Sequence, residues 1–314
     1  MRGSALRGAL GVAVVAAVAV GAACGSARST TGSTVSDVSA ARSVAHYTSG
    51  TNSDQAAALS LGFNIMDITG SESHPAVTKA HVDALPKGAR ALVWTGNLDN
   101  TDCTTPPVTT RQFQALVRKL AKDRKVYGYY LSDEPHPLTC TNAVADIRSR
   151  SNYVHAHSKF QKTFVVVQDG SGPCGTNLGC EFNALRPAKS HLDLIGLDPY
   201  PCHYDSTGQS VPCDYGLIND RVSAALSNGV PLRAIVPVFQ TFGQEGRVGG
   251  GQIFYRTPTP DELTTILSTW NELVPKPALD YTYTFGVQCS STCPAPQALS
   301  NHPELQPLMQ THNR

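Results

Sequence analysis

The chain is poor in charge. Only 16% of its 314 residues are charged, and 25 basic side chains stand against 24 acidic ones for a net charge of +1. Such a chain generates no field that would gather nucleic acid or an anionic membrane surface, and neither is an expected partner. Aromatic residues are also scarce, at 7%. No Gly-x-Gly-x-x-Gly turn follows the first candidate strand, which argues against a dinucleotide-binding open sheet. None of the ten histidines makes a His-x-His or His-x-Asp pair at the end of a candidate strand, and the cysteines show no repeated Cys-x-x-Cys. No metal ligand set and no cofactor is therefore expected. What the chain does have is a 41% hydrophobic content, ample for a core at this length, together with 21 prolines and nine cysteines.

Arg2 and Arg7 precede an uncharged run, Gly8 to Ala23, that ends in Ala22, Ala23 and Cys24. A basic start, an apolar stretch and small residues before a cleavage point read as a signal peptide over residues 1–23. The cysteine resembles the lipidated first residue of a bacterial lipoprotein. Gly21 stands where such signals usually carry an aliphatic residue, so general secretory cleavage is the alternative. At 16 residues the run is shorter than the roughly 20 that span a bilayer. Cleavage leaves 23 basic against 24 acidic side chains, a mature net charge of −1. Residues 24–42, rich in Ser, Thr, Gly and Ala, read as a flexible tether, and residues 43–314 as a single domain. The expected protein is exported and monomeric. It touches the membrane only through lipid on Cys24, or is secreted outright.

With Cys24 set aside, eight cysteines remain, an even number in an oxidising compartment, and four disulfides are expected. Short loops suggest the pairs 174 with 180, 202 with 213 and 289 with 293, which leaves 103 for 140.

From residue 44 onward, short β-branched and aromatic runs alternate with segments of helical period, the pattern of repeated βα units. Eight strands are predicted: Val44–Ser49, Phe63–Thr69, Ala89–Trp94, Val126–Leu131, Thr163–Gln168, Leu192–Leu197, Leu232–Gln240 and Tyr281–Gln288. Between them, Phe113, Leu116, Val117 and Leu120 form one apolar helical stripe. Thr259, Pro260, Asp261 and Glu262 spell a capping box ahead of Leu263, Ile266, Leu267 and Trp270. Asn228 and Gly229 end the helix before the seventh strand. Eight such units over about 250 residues predict an α/β fold, a (β/α)8 TIM barrel.

In such a barrel the working residues sit where strands end. The predicted strands end on Asp67, Trp94, the run Tyr130 to Glu134, Asp169, Asp198 with Tyr200, Gln240 and Gln288. Five acids on one face, without lysines or phosphate loops, suit a neutral polyhydroxylated substrate, whose hydroxyls bind acids and amides and whose apolar faces stack on rings. Paired carboxylates also hydrolyse glycosides: one protonated acid gives its proton to the leaving oxygen while an ionised partner activates water or attacks the anomeric carbon. Asp133 and Glu134 are adjacent, so in a desolvated site one of them is pushed toward its protonated form. Alternation along a strand predicts that only one of the two faces the cleft.

The segments GYYLSDEP (128–135), LDLIGLDPYP (192–201), PVFQTFG (237–243) and RTPTPDEL (256–263) resemble those of the TIM-barrel glycoside hydrolase superfamily, over roughly residues 126–285. The resemblance implies that Glu134 holds the acid/base position at the end of the fourth strand. It also marks two departures. The best-known clan has Asn before that Glu, where this chain has Asp133, and a nucleophilic Glu at the end of the seventh strand, where this chain has Gln240.

Asp198 is the expected second carboxylate, with Asp169 and Glu245 as alternatives. The missing acid at the seventh strand favours inversion. Asp67, Trp94, Tyr130, Asp133, Asp169, Tyr200, Gln240 and Gln288 are the expected substrate contacts. The functional expectation is an extracellular glycosidase acting on a polysaccharide or glycan. The alternatives are a barrel that binds glycan without cleaving it and, less well supported by the histidines, a metal-dependent barrel hydrolase. His155 and His157 fall within a helix and are expected at its surface.

Overall fold

The computed structural model describes residues 44–51, 54–70, 74–96, 103, 109–167, 179–205, 207–244, 254–287 and 296–314. Eight parallel strands, each hydrogen-bonded to two neighbours, close into a barrel. They are β1 Ala45–Thr48, β2 Ile65–Thr69, β3 Arg90–Trp94, β4 Val126–Asp133, β5 Lys162–Val167, β6 Leu194–Leu197, β7 Ile235–Gln240 and β8 Leu279–Tyr283. The helices are α1 Gln55–Ser60, α2 Pro75–Ala84, α3 Thr110–Leu120, α4 Ala143–His157, α5 Cys180–Leu185, α6 Pro187–Ser190, α7 Gly216–Ser227, α8 Pro260–Leu273 and α9 Gln306–His312. This is the predicted (β/α)8 architecture. Among the described residues no helix is long and apolar enough to cross a membrane.

All eight predicted strands exist, with shifted ends. Pro231 feeds a short 3-10 turn, Leu232–Ala234, so β7 begins only at Ile235. The eighth strand lies earlier than expected. Lys276 adopts a left-handed backbone that turns the chain ahead of β8, and just beyond the strand the Thr284 hydroxyl lies within hydrogen-bond reach of the Ser49 and Gly286 carbonyls, at 3.0 and 2.9 Å. Tyr47 therefore pairs with Tyr281 across the seam between β1 and β8. Just above that pair the first and last loops touch backbone to backbone. A Cβ on Gly50 would lie 2.4 Å from the Gly286 carbonyl oxygen, so only glycine fits there.

Period-2 alternation sends Tyr47, Ile65, Leu92, Phe164, Val236 and Tyr281 into the barrel. The opposite faces pack on the helices. Phe113, Leu116, Val117 and Leu120 of α3 are buried as their spacing requires. The Thr259–Glu262 capping box starts α8, whose Leu263, Ile266 and Trp270 are buried. Gly229 has φ +86° directly after the Asn228 cap of α7. His155 is exposed and bonds Asp193 at 2.8 Å, and His157 is exposed and bonds the Tyr153 carbonyl.

Two of the expected disulfides are present, Cys103–Cys140 and Cys202–Cys213. Cys180 is also disulfide-bonded. The remaining cysteines, Cys24 among them, lie outside the described residues.

Candidate active site

β4 brings two acids to the mouth of the barrel because its regular alternation breaks twice near its end. Its register with β5 shifts between Tyr130 and Ser132. After that bulge Tyr130 and Asp133, three residues apart, meet on the inward side, and the Tyr130 hydroxyl donates to Asp133 Oδ1 at 2.6 Å. Glu134 then takes a left-handed backbone, φ +46°, while its N–H still donates to the Val166 carbonyl at 3.0 Å. That conformation is strained for a residue with a Cβ. Its effect is to keep Glu134 at the mouth beside Asp133 instead of sending it to the outer face. The expectation that only one of these acids would face the cleft is thus corrected: both do.

Across the mouth, at the end of β6, Asp198 shares a side-chain hydrogen bond with Glu134. Burial is the largest cause that pushes Glu134 up to about 7, the charge of Asp133 adds to it, and the bond from Asp198 pulls back. Burial also holds Asp198 well above the usual carboxylate range, reinforced by the charges of Glu134 and Asp133. Asp133 is raised by burial, against the Tyr130 hydroxyl bond. Both carboxyls are thus pushed toward their protonated forms, by burial first and by their acidic neighbours second.

An aromatic wall surrounds the acids. Tyr200 packs against Phe242 at 4.8 Å, Tyr255 at 5.1 Å and Tyr283 at 6.0 Å between ring centroids. Trp94, half-buried at the end of β3, meets Tyr130 edge-on at 4.7 Å. Tyr283 and Tyr255 both have hydroxyls raised to about 12, chiefly by burial and then by the neighbouring acids. Neither these two tyrosines nor Phe242 was anticipated. Tyr283 was legible, since it stands two residues beyond the inward Tyr281. Tyr255 was not, because it reaches the site on a small ribbon formed by His203–Tyr204 and Phe254–Tyr255.

Two of the expected contacts, Gln240 and Asp67, hold backbone groups of the frame. Gln240 at the end of β7 is buried; its Oε1 accepts the Cys202 N–H at 3.0 Å, and its Nε2 donates to the carbonyls of Cys202 and Arg256 at 2.8 and 2.9 Å. The loops after β6 and β7 are thus tied together through one amide. Arg256 tightens the same joint. Its guanidinium reaches both Glu262 oxygens, at 2.6 and 2.7 Å, and the Val211 carbonyl at 2.9 Å. Asp67 accepts from the Thr51 N–H and hydroxyl at 3.1 and 2.7 Å, which fastens the first loop to β2. Asp169, Gln288 and Glu245 lie outside the described residues.

At the level of sequence no known family and no curated protein matches the chain. Solved structures do. A chitinase from Chromobacterium violaceum superposes with a TM-score of 0.55 at 15% identity, covering 86% of this chain and 99% of that one. The spore cortex-lytic enzyme SleL of Bacillus cereus gives 0.54 at 9% identity, over 87% of this chain and 74% of its own. A chitinase-like agglutinin from Robinia pseudoacacia gives 0.50 at 12% identity, over 86% and 99%. At such identities the likeness is one of fold alone, the (β/α)8 barrel.

Proposed function

We propose that the chain is an exported glycoside hydrolase in which Glu134 is the general acid and Asp198 the group that steadies it. The observation that carries this reading is the convergence of Asp133, Glu134 and Asp198 at the ends of β4 and β6 in a mouth walled by aromatic rings, where burial pushes the Glu134 carboxyl up to about 7. Glu134 gives its proton to the glycosidic oxygen as the bond to the anomeric carbon breaks. The bond donated by protonated Asp198 strengthens as Glu134 becomes an anion, so it stabilises the transition state more than the ground state. In this reading Asp198 is engaged with Glu134 and does not act as the nucleophile. Attack then comes from water or from a group of the substrate itself, as in the substrate-assisted families. Tyr200, Tyr283 and Trp94 offer ring faces for the sugars.

The named activities of the neighbours make chitin oligomers and spore-cortex or cell-wall glycan the first substrates to try. Release of reducing ends from that panel, absent in Glu134→Gln, supports the assignment. A second reading, a barrel that binds glycan without cleaving it, is favoured by the agglutinin neighbour and by the fully engaged Gln240. Saturable binding of the same oligomers with no reducing ends released from any of them selects it. Export and lipid on Cys24 rest on the N-terminal pattern, and palmitate labelling that persists in Cys24→Ser rejects the lipid.

A further inference from the structure

At the opposite end of the barrel, three side chains from three distant segments converge. His46 lies at the start of β1, Asp280 at the start of β8 and His312 at the end of α9. His46 Nδ1 stands 2.9 and 3.0 Å from the two Asp280 oxygens, and His312 Nε2 stands 3.0 Å from Oδ2. One nitrogen or oxygen from each residue falls within 4.8 Å of the others. Asp280 and His46 are buried, whereas the His312 side chain is 22% exposed and leaves a path from solvent.

Two imidazoles and one carboxylate are the donors that a borderline divalent ion such as zinc takes, whereas calcium or magnesium would call for a shell of oxygens. With bonds of about 2.0–2.2 Å, ligand atoms around a tetrahedral ion stand roughly 3.3–3.6 Å apart, so each imidazole, now 2.9–3.0 Å from Asp280, would need to move back by only a few tenths of an ångström to admit one. A cavity of about 160 Å³ adjoins the three residues and is lined also by Phe239, Trp270 and Lys276. It gives room for a solvent ligand. The buried Trp270 Nε1 has no hydrogen-bond partner among the described residues, so a ligand in this cavity would offer it an acceptor. Lys276 on the same cavity suits a hydroxide or other anionic fourth ligand.

We propose that His46, Asp280 and His312 form a zinc-type divalent-cation site that staples the barrel seam. The ion would join residues 234 and 32 positions apart in sequence, holding the first strand, the last strand and the last helix together. His46 would then carry its proton on Nε2 and His312 on Nδ1, the tautomers opposite to those that donate to Asp280.

The test uses the full chain, stripped with a chelator and titrated with Zn²⁺ or Co²⁺. One ion per chain, a rise in Tm on adding Zn²⁺, and cobalt absorption bands of a low-coordinate nitrogen and oxygen site are expected. His312→Ala should weaken binding at least 10-fold, while His155→Ala, a surface control, should leave it unchanged. The cobalt spectrum needs no variant, so it decides the matter even if His312→Ala does not fold. No uptake by the unaltered chain, or equal binding by His312→Ala, overturns the proposal and leaves a hydrogen-bonded His–Asp–His clamp in its place.

Discussion

Carboxyls at both ends of this barrel are desolvated, yet they titrate in opposite directions. At the mouth, burial raises Asp133, Glu134 and Asp198, and the partners of the latter two include one another. At the base, burial is again the largest single cause and raises Asp280, but the hydrogen bonds and charges of His312 and His46 together outweigh it and hold the carboxyl below its ordinary value. Burial is therefore common to both ends, and the neighbour decides what it produces. Acids crowded with acids are pushed toward their protonated forms, and an acid flanked by imidazoles is held toward its ionised form.

The largest expected effect breaks the mouth. Glu134→Gln should lower turnover by about 10²- to 10⁴-fold on a substrate with a poor leaving group, and less on an activated aryl glycoside, as steady-state kinetics on the two would show. A loss below tenfold on both would remove Glu134 from the chemistry. At the base, Asp280→Ala should cost about 3–5 kcal/mol in denaturant unfolding, because the buried His46 and the partly exposed His312 lose their shared partner. If it costs less than 1 kcal/mol, the contrast between the two ends fails.

The third prediction concerns pH. An acid whose folded pKa is raised binds its proton more tightly in the native state. The stability it contributes is thus fully present below the unfolded value of 4.5 and is lost as pH climbs through about 7. At roughly 1.4 kcal/mol per unit, the loss across that window is about 3 kcal/mol. Glu134→Gln should flatten the curve, and kcat/KM of the unaltered chain should fall on its alkaline side near pH 7. A stability profile from pH 4 to 8 that is the same in both chains would refute the raised value. Smallest is Thr259→Ala, which removes the α8 cap and should cost about 1 kcal/mol by thermal unfolding while leaving the shape of the pH profile unchanged.

The barrel was legible because its signals are local. Each strand is a short apolar run, and the α3 stripe and α8 capping box are read within four or five residues. Glu134 and Asp198 were legible for the same reason, as acids at strand ends. Their direct contact was not, since it depends on how two strands separated by β5 present their ends. Nor was the shared orientation of Asp133 and Glu134, because neither the bulge nor a left-handed glutamate leaves a mark in the sequence. Gln240 was read as a substrate contact although it serves backbone groups of two loops that only tertiary structure brings near. The His46, Asp280 and His312 cluster has no sequence spacing at all to read.

Glu134 sits in a backbone conformation that costs a non-glycine residue on the order of 1–3 kcal/mol. Glycine would relax it and asparagine would suit it better, but both lack the acid. Folding and catalysis therefore pull this position in opposite directions. In a lineage whose barrel had become a mere binder, drift would run downhill toward glycine or asparagine here. A glutamate retained at 134 among relatives would record selection for its proton.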